Sequence, residues 1–464
     1  MTRLNRIIAK GIMDLPLMLI PSLISIWIIT QYTLSDWEYS LLICTNFIYL
    51  LARIWYVSKK QITPMLLFFV TFSFLFIGGR FWGILLGSEQ PLWVGTFFYE
   101  DYLNIERRTN LLIYLLAFIY SMIMGYVVCY KSYIYNKRDF NQIEIREKIN
   151  YILGVIFWVI APFILYRSVH QFLLAFRGGG YLSLYFDAQN SDYSSGLFQT
   201  IISVLFGYAM VFGDRNVKRN YIFLFFISAI IMLLIGGRGA FGSIMLFSLW
   251  LYSQYHKVNL QRLAMYGFVA LCLLLFIFQY SIRNADSTIN INVFELLSAF
   301  FYSQGVSLFV FECSTWFSYP YIPYIQVFIP GSAMAYSLIS GIDLQMSDVS
   351  FADSLANQLN PQLYYQGYGL GWTLMSDVYV FSGGFLVLFI LLSSVLGFLL
   401  GWIECKSKES SICKVIIFVI FLKLMILPRG AIVSVSILSI YSFLFYILFI
   451  AYCRKKFNNL TYSL

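Results

Sequence analysis

The stretch FSGGFLVLFILLSSVLGFLLGWI occupies residues 381–403 and contains no charged side chain. A helix of about 20 apolar residues is long enough to cross the roughly 30 Å hydrocarbon core of a bilayer. Helices satisfy their own backbone hydrogen bonds, which a chain in hydrocarbon must do because no water is present. This stretch therefore predicts a membrane-spanning helix.

Similar apolar runs recur along the whole chain. Hydrophobic residues make up 60% of the 464 residues and charged residues only 11%, against about 25% charged residues in a typical soluble domain. We predict an all-α polytopic membrane protein with about twelve transmembrane helices, in a single integral membrane domain over residues 1–464. The predicted spans lie near 11–32, 39–58, 62–87, 110–130, 150–168, 197–213, 220–236, 240–255, 263–282, 381–403, 413–428 and 431–452.

Basic residues set the orientation of these spans. Arg3, Arg6 and Lys10 precede the first span, which places the N-terminus in the cytoplasm, and every inner segment of the resulting scheme is basic, as the positive-inside rule requires. Both termini are then cytoplasmic, and the expected location is the inner membrane of a bacterium. These loops account for the net charge of +9, so nucleic acid is not an expected partner.

Two predicted outer loops stand out. The first, at 169–196, contains Arg177 followed by three glycines, and the second, at 283–380, is rich in aromatic residues. Within the long extracytoplasmic loop, the stretches 297–311 and 321–340 are apolar enough to lie in the membrane interface or to dip back into it. Loops of this length without a function are uncommon.

The basic residues of the predicted outer face are all arginine, whereas lysine is common in the inner loops. The planar fork of arginine suits bidentate contact with phosphate or carboxylate. Arg238 and Arg429 stand in tight outer turns, Arg177 heads a glycine run, and Arg283 directly follows a span. These four are candidate anion-binding residues; alternatively, they only anchor helix ends by reaching lipid phosphate.

Asp377 lies close to the start of the span at 381–403, where a carboxylate is unfavourable without a partner. It is a candidate general base or the partner of an arginine, unless it is simply an acid favoured at a helix N-terminus. The sequence contains no Cys/His metal spacing and no outer Asp-x-Asp pair. We therefore expect no metal and no cofactor.

Three features together resemble the O-antigen polymerase (Wzy) family: the twelve-span layout, the GGRG turn at 236–239, and a long outer loop that ends in GLGW at 369–372 and DVY at 377–379. The resemblance covers most of the chain. It implies a GT-C-like membrane glycosyltransferase that transfers a growing glycan from undecaprenyl diphosphate to a new lipid-linked repeat unit on the periplasmic face. Family members often carry Glu where this chain has Asp377.

The expected partners under this resemblance are undecaprenyl-diphosphate-linked oligosaccharide and membrane lipids, and the binding of a chain-length regulator is left open. Outer arginines, Arg238 foremost, would hold the lipid diphosphate and stabilise its developing charge. Asp377 would accept the proton of the attacking sugar hydroxyl or orient an arginine. The alternatives are an O-antigen ligase-type transferase and a lipid-linked oligosaccharide flippase or transporter, although transporters usually show repeated halves and this chain shows no clear repeat.

We predict that positions near 190 and 340 are extracytoplasmic and that positions near 140 and 408 are cytoplasmic, because only this arrangement leaves every inner segment basic. Reporter fusions or cysteine accessibility at the four positions would measure this. A cytoplasmic signal at 340 would overturn the whole assignment, including the face that carries the candidate site.

Overall fold

The computed structural model describes most of the chain, namely residues 14–95, 98–99, 101–133, 143–177, 194–256 and 292–461, with a few isolated positions between 258 and 275. Within these regions the chain is helical, and the one strand-like pairing found there is an isolated bridge between Val94 and Tyr102. Most of the predicted span at 263–282, together with Arg283, lies outside the described residues.

The helices of the described regions follow one another in this order: α1 Leu15–Gln31, α2 Asp36–Val57, α3 Pro64–Val70, α4 Gly79–Leu85, α5 Ile105–Ser132, α6 Ile143–Arg177, α7 Ser194–Phe212, α8 Arg215–Ile235, α9 Arg238–Tyr255, α10 Val293–Gln304, α11 Ser307–Ser314, α12 Ile322–Gln326, α13 Ser332–Ser340, α14 Met346–Val349, α15 Phe351–Leu359, α16 Pro361–Tyr365, α17 Leu374–Phe381, α18 Leu386–Lys406, α19 Ser411–Ile426 and α20 Val433–Thr461.

Among the described residues, seven helical segments are long and apolar enough to cross a membrane, or eight if one bent pair counts as a single span. The chain is therefore a multi-pass membrane protein, and the number of twelve crossings stays a prediction. Shorter apolar helices occupy Leu15–Gln31, Phe198–Phe212 and Val433–Phe449. One of the seven segments, Val293–Ser314, lies in the range 283–380 predicted as an outer loop and includes the stretch 297–311 that we expect at the interface.

The bent pair consists of α3, together with the π-helical turn that continues it, and α4. The axes of these two parts differ in direction by 56°. A π-turn is a common cause of a sharp helix bend. Gly78 lies at the bend, where a Cβ atom would stand 1.7 Å from the carbonyl oxygen of Ser73. That oxygen accepts a hydrogen bond from Trp82 Nε1 at 2.9 Å. Only glycine fits this position.

Small residues also bring α4 onto the break between α10 and α11. A Cβ on Gly79 would lie 2.5 Å from the carbonyl oxygen of Phe301, and a Cβ on Gly305 would lie 2.2 Å from the backbone nitrogen of Arg80. Such close backbone approach is typical of helix contacts in membranes, where packing rather than a hydrophobic driving force holds helices together.

The contact between α5 and α18 has the same character. A Cβ on Gly397 would lie 1.8 Å from the Met122 carbonyl oxygen, and a Cβ on Gly125 would lie 1.9 Å from the Ser394 carbonyl oxygen. Gly401, one turn further along α18, is also buried against α5. These glycines let the two helices cross with their backbones in contact.

Helices α9 and α19 pack side by side through aromatic rings. Trp250 stacks on Phe421 with ring centroids 4.8 Å apart, and Phe247 contacts the same ring edge-on at 5.4 Å. At the other end of the pair, a Cβ on Gly239 would lie 3.4 Å from Ile426. The two helices are therefore antiparallel, and the start of α9 lies beside the end of α19.

We predict that Gly397→Ala destabilises the protein by about 1–3 kcal/mol, because the added methyl group forces α5 and α18 apart. Gly242→Ala on α9 is the matched control, since no atom lies within 4 Å of a Cβ built there. It should be neutral or stabilising by up to about 1 kcal/mol. Thermal unfolding of the purified proteins in one detergent measures both, and equal midpoints for the two variants would contradict the proposed backbone contact.

Candidate functional site

The turn that carries Arg429 follows directly on α19. Leu427–Arg429 forms a single turn of 3-10 helix in which Leu427 and Pro428 are buried, and Arg429 is exposed. The proline ring restricts the backbone here, and Gly430 continues in an extended conformation toward α20. The guanidinium group thus stands at the tip of a tight connection between two apolar helices.

Asp377 is attached to this turn from across the structure. The Thr373 side chain caps α17 by accepting a hydrogen bond from Ser376 N at 3.0 Å, which places Asp377 in the first helical turn. The carboxylate is only 1% exposed. Its Oδ1 accepts from Trp372 Nε1 at 2.8 Å and its Oδ2 accepts from the backbone N–H of Ile432 at 2.5 Å. Asp377 therefore ties the end of the long segment predicted as an outer loop to the chain just after Arg429.

The same burial changes the acid strength of Asp377. Burial raises the pKa of its carboxyl group to about 7, while the hydrogen bonds from Ile432 N–H and Trp372 partly offset this rise. Both donors stabilise the ionised form, and removal from water destabilises it. The charge at this position consequently changes near neutral pH.

Trp372 connects Asp377 to a packed, largely aromatic group of residues, which we call the outer aromatic cluster because most of it lies in the predicted outer loop. Its buried members are Val310, Cys313, Phe351, Leu355 and Trp372, and its half-buried members include Tyr99, Trp316, Phe317, Tyr319, Tyr324, Phe381 and Ala431. Trp372 stacks on Phe351 with ring centroids 5.4 Å apart, so the direction of its N–H toward Asp377 is restricted. Ala431 joins the cluster two residues after Arg429, which packs the turn against it.

Arg238 lies on a neighbouring turn. Helix α8 ends at Ile235 and is capped by Gly236, whose φ of +108° favours glycine. Helix α9 begins at Arg238, which is half-buried. The next residue, Gly239, faces Ile426 at the end of α19. Through these contacts the structure gathers the Arg238 turn, the Arg429 turn and Asp377 at one end of the helical bundle.

The other two candidate arginines are placed differently. Arg177 is exposed in the last turn of α6, and the main contacts of α6 in the described regions are with α7 and α8. The structure does not bring Arg177 to the Asp377 turn by a described contact. Arg283 lies outside the described residues, so its membership of the site stays a prediction.

Glu312 is a buried carboxylate that the sequence analysis missed. It is 4% exposed on α11, and its Oε1 accepts from Trp316 Nε1 at 3.1 Å. The guanidinium group of Arg107 lies 4.5 Å from the centroid of the Trp316 ring. A signal was present, because Glu312 is the one charged residue between Glu295 and Asp343, and a lone charge in an apolar run usually has a function or a partner.

The sequence contains Gly-Gly-Arg twice, at 78–80 and at 236–238. Arg80, in the first copy, shows that this motif does not by itself define a site. Its side chain is completely buried, and its Nη1 donates to the Val94 carbonyl oxygen at 2.5 Å. The rings of Tyr302 and Phe309 lie 4.7 and 4.1 Å from its guanidinium carbon. Arg80 is therefore enclosed within the fold, whereas Arg238 in the second Gly-Gly-Arg motif lies at a turn.

The fold and the site together define a helical multi-pass membrane protein with arginine-bearing turns beside a buried carboxylate at one end of the bundle. Among the described residues, no group of three or more His, Cys, Asp or Glu side chains could hold a metal ion.

The family model for O-antigen polysaccharide polymerase Wzy matches residues 15–459, nearly the whole chain, and the chain belongs to this family. The resemblance seen in the sequence is thereby confirmed. Members of the family are polymerising glycosyltransferases that join O-antigen repeat units. No curated protein and no solved structure matches the chain.

We predict a pH-dependent stability difference between the wild-type protein and Asp377→Asn. The pKa of Asp377 in the fold, about 7, lies above the ordinary value of 3.8, so the folded state holds a proton that the unfolded chain has released. The free energy of unfolding of the wild type should therefore fall, relative to the variant, as the pH rises from 3.8 to about 7.

Thermal unfolding midpoints of both proteins across this range measure the effect. The Asn variant loses one acceptor and should be less stable at every pH, so only the change of the difference with pH is informative. A difference that stays constant through neutral pH would mean that Asp377 does not titrate there.

Proposed function

We propose that this protein polymerises lipid-linked oligosaccharide repeat units at the periplasmic face of the bacterial inner membrane, with both termini in the cytoplasm. It would transfer the growing glycan from undecaprenyl diphosphate to a new carrier-linked repeat unit. Family membership supports the polymerase reaction. The hydrogen bond from Ile432 N–H to the Asp377 carboxylate carries the assignment of the site, because it holds an exposed arginine in place at the end of a predicted span.

The substrate explains why positive charge is needed at this depth. A lipid diphosphate is confined to the headgroup plane, since its hydrocarbon tail cannot leave the bilayer. During transfer, the acceptor hydroxyl oxygen forms a bond to the anomeric carbon and loses its proton. The bond from that carbon to the diphosphate oxygen breaks with its electron pair, and the departing diphosphate can take up the proton. Charge then develops on the leaving diphosphate, and fixed hydrogen-bond donors placed at that point stabilise the transition state.

Arg429 and Arg238 are the residues that we assign to this charge. Arg429 is exposed at the tip of its turn and Arg238 is half-buried on the turn beside it, so both lie near the surface of the protein. Arginine presents two parallel N–H donors that match a phosphate group. Arg177 and Arg283 are proposed as further contacts from the two outer loops.

Asp377 is assigned to positioning rather than to proton transfer. The sequence leaves both roles open, and the hydrogen bonds favour the first, because each of its oxygens already accepts an N–H and the group is 1% exposed. A general base must reach the proton of the acceptor hydroxyl at hydrogen-bond distance. Asp377→Asn should therefore lower the rate of transfer only as far as the Arg429 turn loosens. Complete loss of transfer with an intact fold would instead indicate that Asp377 is the general base.

Deletion of the gene tests the reaction itself. A polymerase predicts that the lipopolysaccharide or capsule ladder disappears while the product with a single repeat unit remains. Loss of every repeat unit from the core would instead indicate a ligase or a flippase. A single gel of the glycan products distinguishes these two outcomes.

We predict that Arg429→Lys and Arg238→Lys each lower the rate of polymerisation roughly tenfold or more, the effect of losing one charge-assisted hydrogen bond of about 1.5 kcal/mol or more. The positive charge is retained, so a residue that only reaches lipid phosphate would tolerate lysine. Arg108→Lys is the control, because the described contacts of the Arg108 side chain are with the Leu103 carbonyl oxygen and the rings of Trp93 and Tyr102, and none of them is with the two turns. The ladder length at equal protein level is the measurement, and a normal ladder in either variant would remove that arginine from the site.

A further inference from the structure

An exposed apolar segment extends over residues 321–342, and we call it the apolar outer segment. It contains helices α12 and α13 and the turn between them. Its side chains point outward to an unusual degree, with Tyr321 84%, Phe328 69%, Leu338 76% and Ile339 87% exposed. Its further exposed apolar members are Ile325, Ile329, Met334, Tyr336 and Ile342.

This surface is unlike the surface of a water-exposed loop. The sequence from residue 313 to residue 342 contains no charged side chain, and contiguous apolar patches on soluble surfaces are usually small or involved in binding. The segment also cannot cross a membrane, because α13 has only 9 residues and rises about 14 Å, well short of the roughly 30 Å core. Something apolar must cover it from one side.

The aromatic contacts of the apolar outer segment indicate what covers its exposed side chains. Tyr324 and Phe328 of the apolar outer segment pack edge-on against Phe381, with ring centroids 5.3 and 6.2 Å apart. Phe381 ends α17 and shortly precedes α18, which is a candidate membrane span. The start of this span is strongly exposed, since Phe385 just before α18 and Val387 within it are each 73% exposed. The exposed apolar surface of the segment therefore adjoins the lipid-facing surface of α18.

We propose that the apolar outer segment lies in the outer leaflet, with lipid hydrocarbon covering its exposed side chains, and that it sets the depth of the Asp377 site in the membrane. Its two exposed tyrosines, Tyr321 and Tyr336, are of the type enriched at the membrane–water interface, where an apolar ring and a polar hydroxyl are both satisfied. The segment is a docking surface for lipid, formed by chain that does not itself span the bilayer.

A row of aromatic contacts connects this surface to the site. Tyr324 packs against Phe351 at 5.0 Å, Phe351 stacks on Trp372 at 5.4 Å, and Trp372 Nε1 donates to Asp377. Asp377 in turn holds the backbone at Ile432. A segment kept at a constant depth by lipid thus keeps the Arg429 turn near the phosphate plane. This functional part of the inference rests on the proposed function, whereas the lipid contact does not.

The lipid contact is tested with a nitroxide spin label at Leu338→Cys, on the full-length protein in lipid nanodiscs. The matched control is Gln362→Cys, an exposed polar position on α16. Unmodified protein treated with the same label supplies the background from the exposed Cys272. Oxygen concentrates in hydrocarbon and a nickel chelate stays in water, so the ratio of the two relaxation effects reports the surroundings of each label.

We expect oxygen to relax the label at 338 more strongly than the nickel chelate does, with the reverse order at 362. A label at 338 that responds to the nickel chelate as strongly as the one at 362 would overturn the proposal. So would a label at 338 that is shielded from both reagents, because another protein or a second copy would then cover the segment. This measurement needs no catalytic activity, so its failure is distinct from the failure of the polymerase assignment.

The link to the site is tested with Ile339→Glu against Ile339→Phe. A carboxylate at this position would draw the segment toward water, whereas phenylalanine keeps an apolar side chain in lipid. We expect a shortened ladder for the Glu variant and a wild-type ladder for the Phe variant, at equal protein levels. A full ladder in Ile339→Glu would show that the segment does not set the depth of the site.

Discussion

Helices α5 and α18 touch backbone to backbone where Gly397 meets the Met122 carbonyl group, and the end of the bundle that carries Asp377 depends on this contact. Helix α5 also donates a hydrogen bond from Tyr114 O–H to the Gly384 carbonyl oxygen at 2.5 Å. That bond holds the short link between α17 and α18. The position of Asp377 on α17 is therefore determined by how closely two membrane helices approach each other, several turns away from the site.

The arginines of this chain show how the surroundings decide what one residue type does. A guanidinium group must be hydrated, paired or placed over aromatic rings, because burying an unsatisfied charge is costly. Arg80 meets this requirement inside the fold, with a backbone carbonyl group and two aromatic rings. Arg429 meets it at the surface, where it is exposed. Of the two, only a surface arginine can reach a ligand at the headgroup plane.

The two buried carboxylates near the outer aromatic cluster differ in a similar way. Both oxygens of Asp377 accept N–H groups, one of them from a backbone far along the chain. Glu312 accepts from Trp316 on its own side of the cluster, and Trp316 in turn supports Arg107. In each case an acid accepts a hydrogen bond from a tryptophan ring of the cluster. Hydrogen bonding of this kind restricts motion, which a site needs if its donors are to meet charge as it develops.

Much of this protein could be inferred from the sequence, namely the helical class, the positions of most apolar runs, the tight turns at Arg238 and Arg429, and the family. Hydrocarbon demands that each backbone hydrogen bond be made locally, so a run of apolar residues predicts a helix without knowledge of its neighbours. The glycine turns are equally local, because a left-handed φ such as that of Gly236 is a property of one residue.

Partners distant in the chain depend on the tertiary structure alone. Asp377 could be recognised as a carboxylate in need of a partner, yet one of its donors, Ile432, is 55 residues away, and no spacing rule connects the two. The complete burial of Arg80 was likewise undetermined. The physical reason is that apolar side chains in a membrane protein are equally stable against lipid and against one another. Hydrophobicity therefore predicts that a segment leaves water, and only packing decides which neighbours it meets.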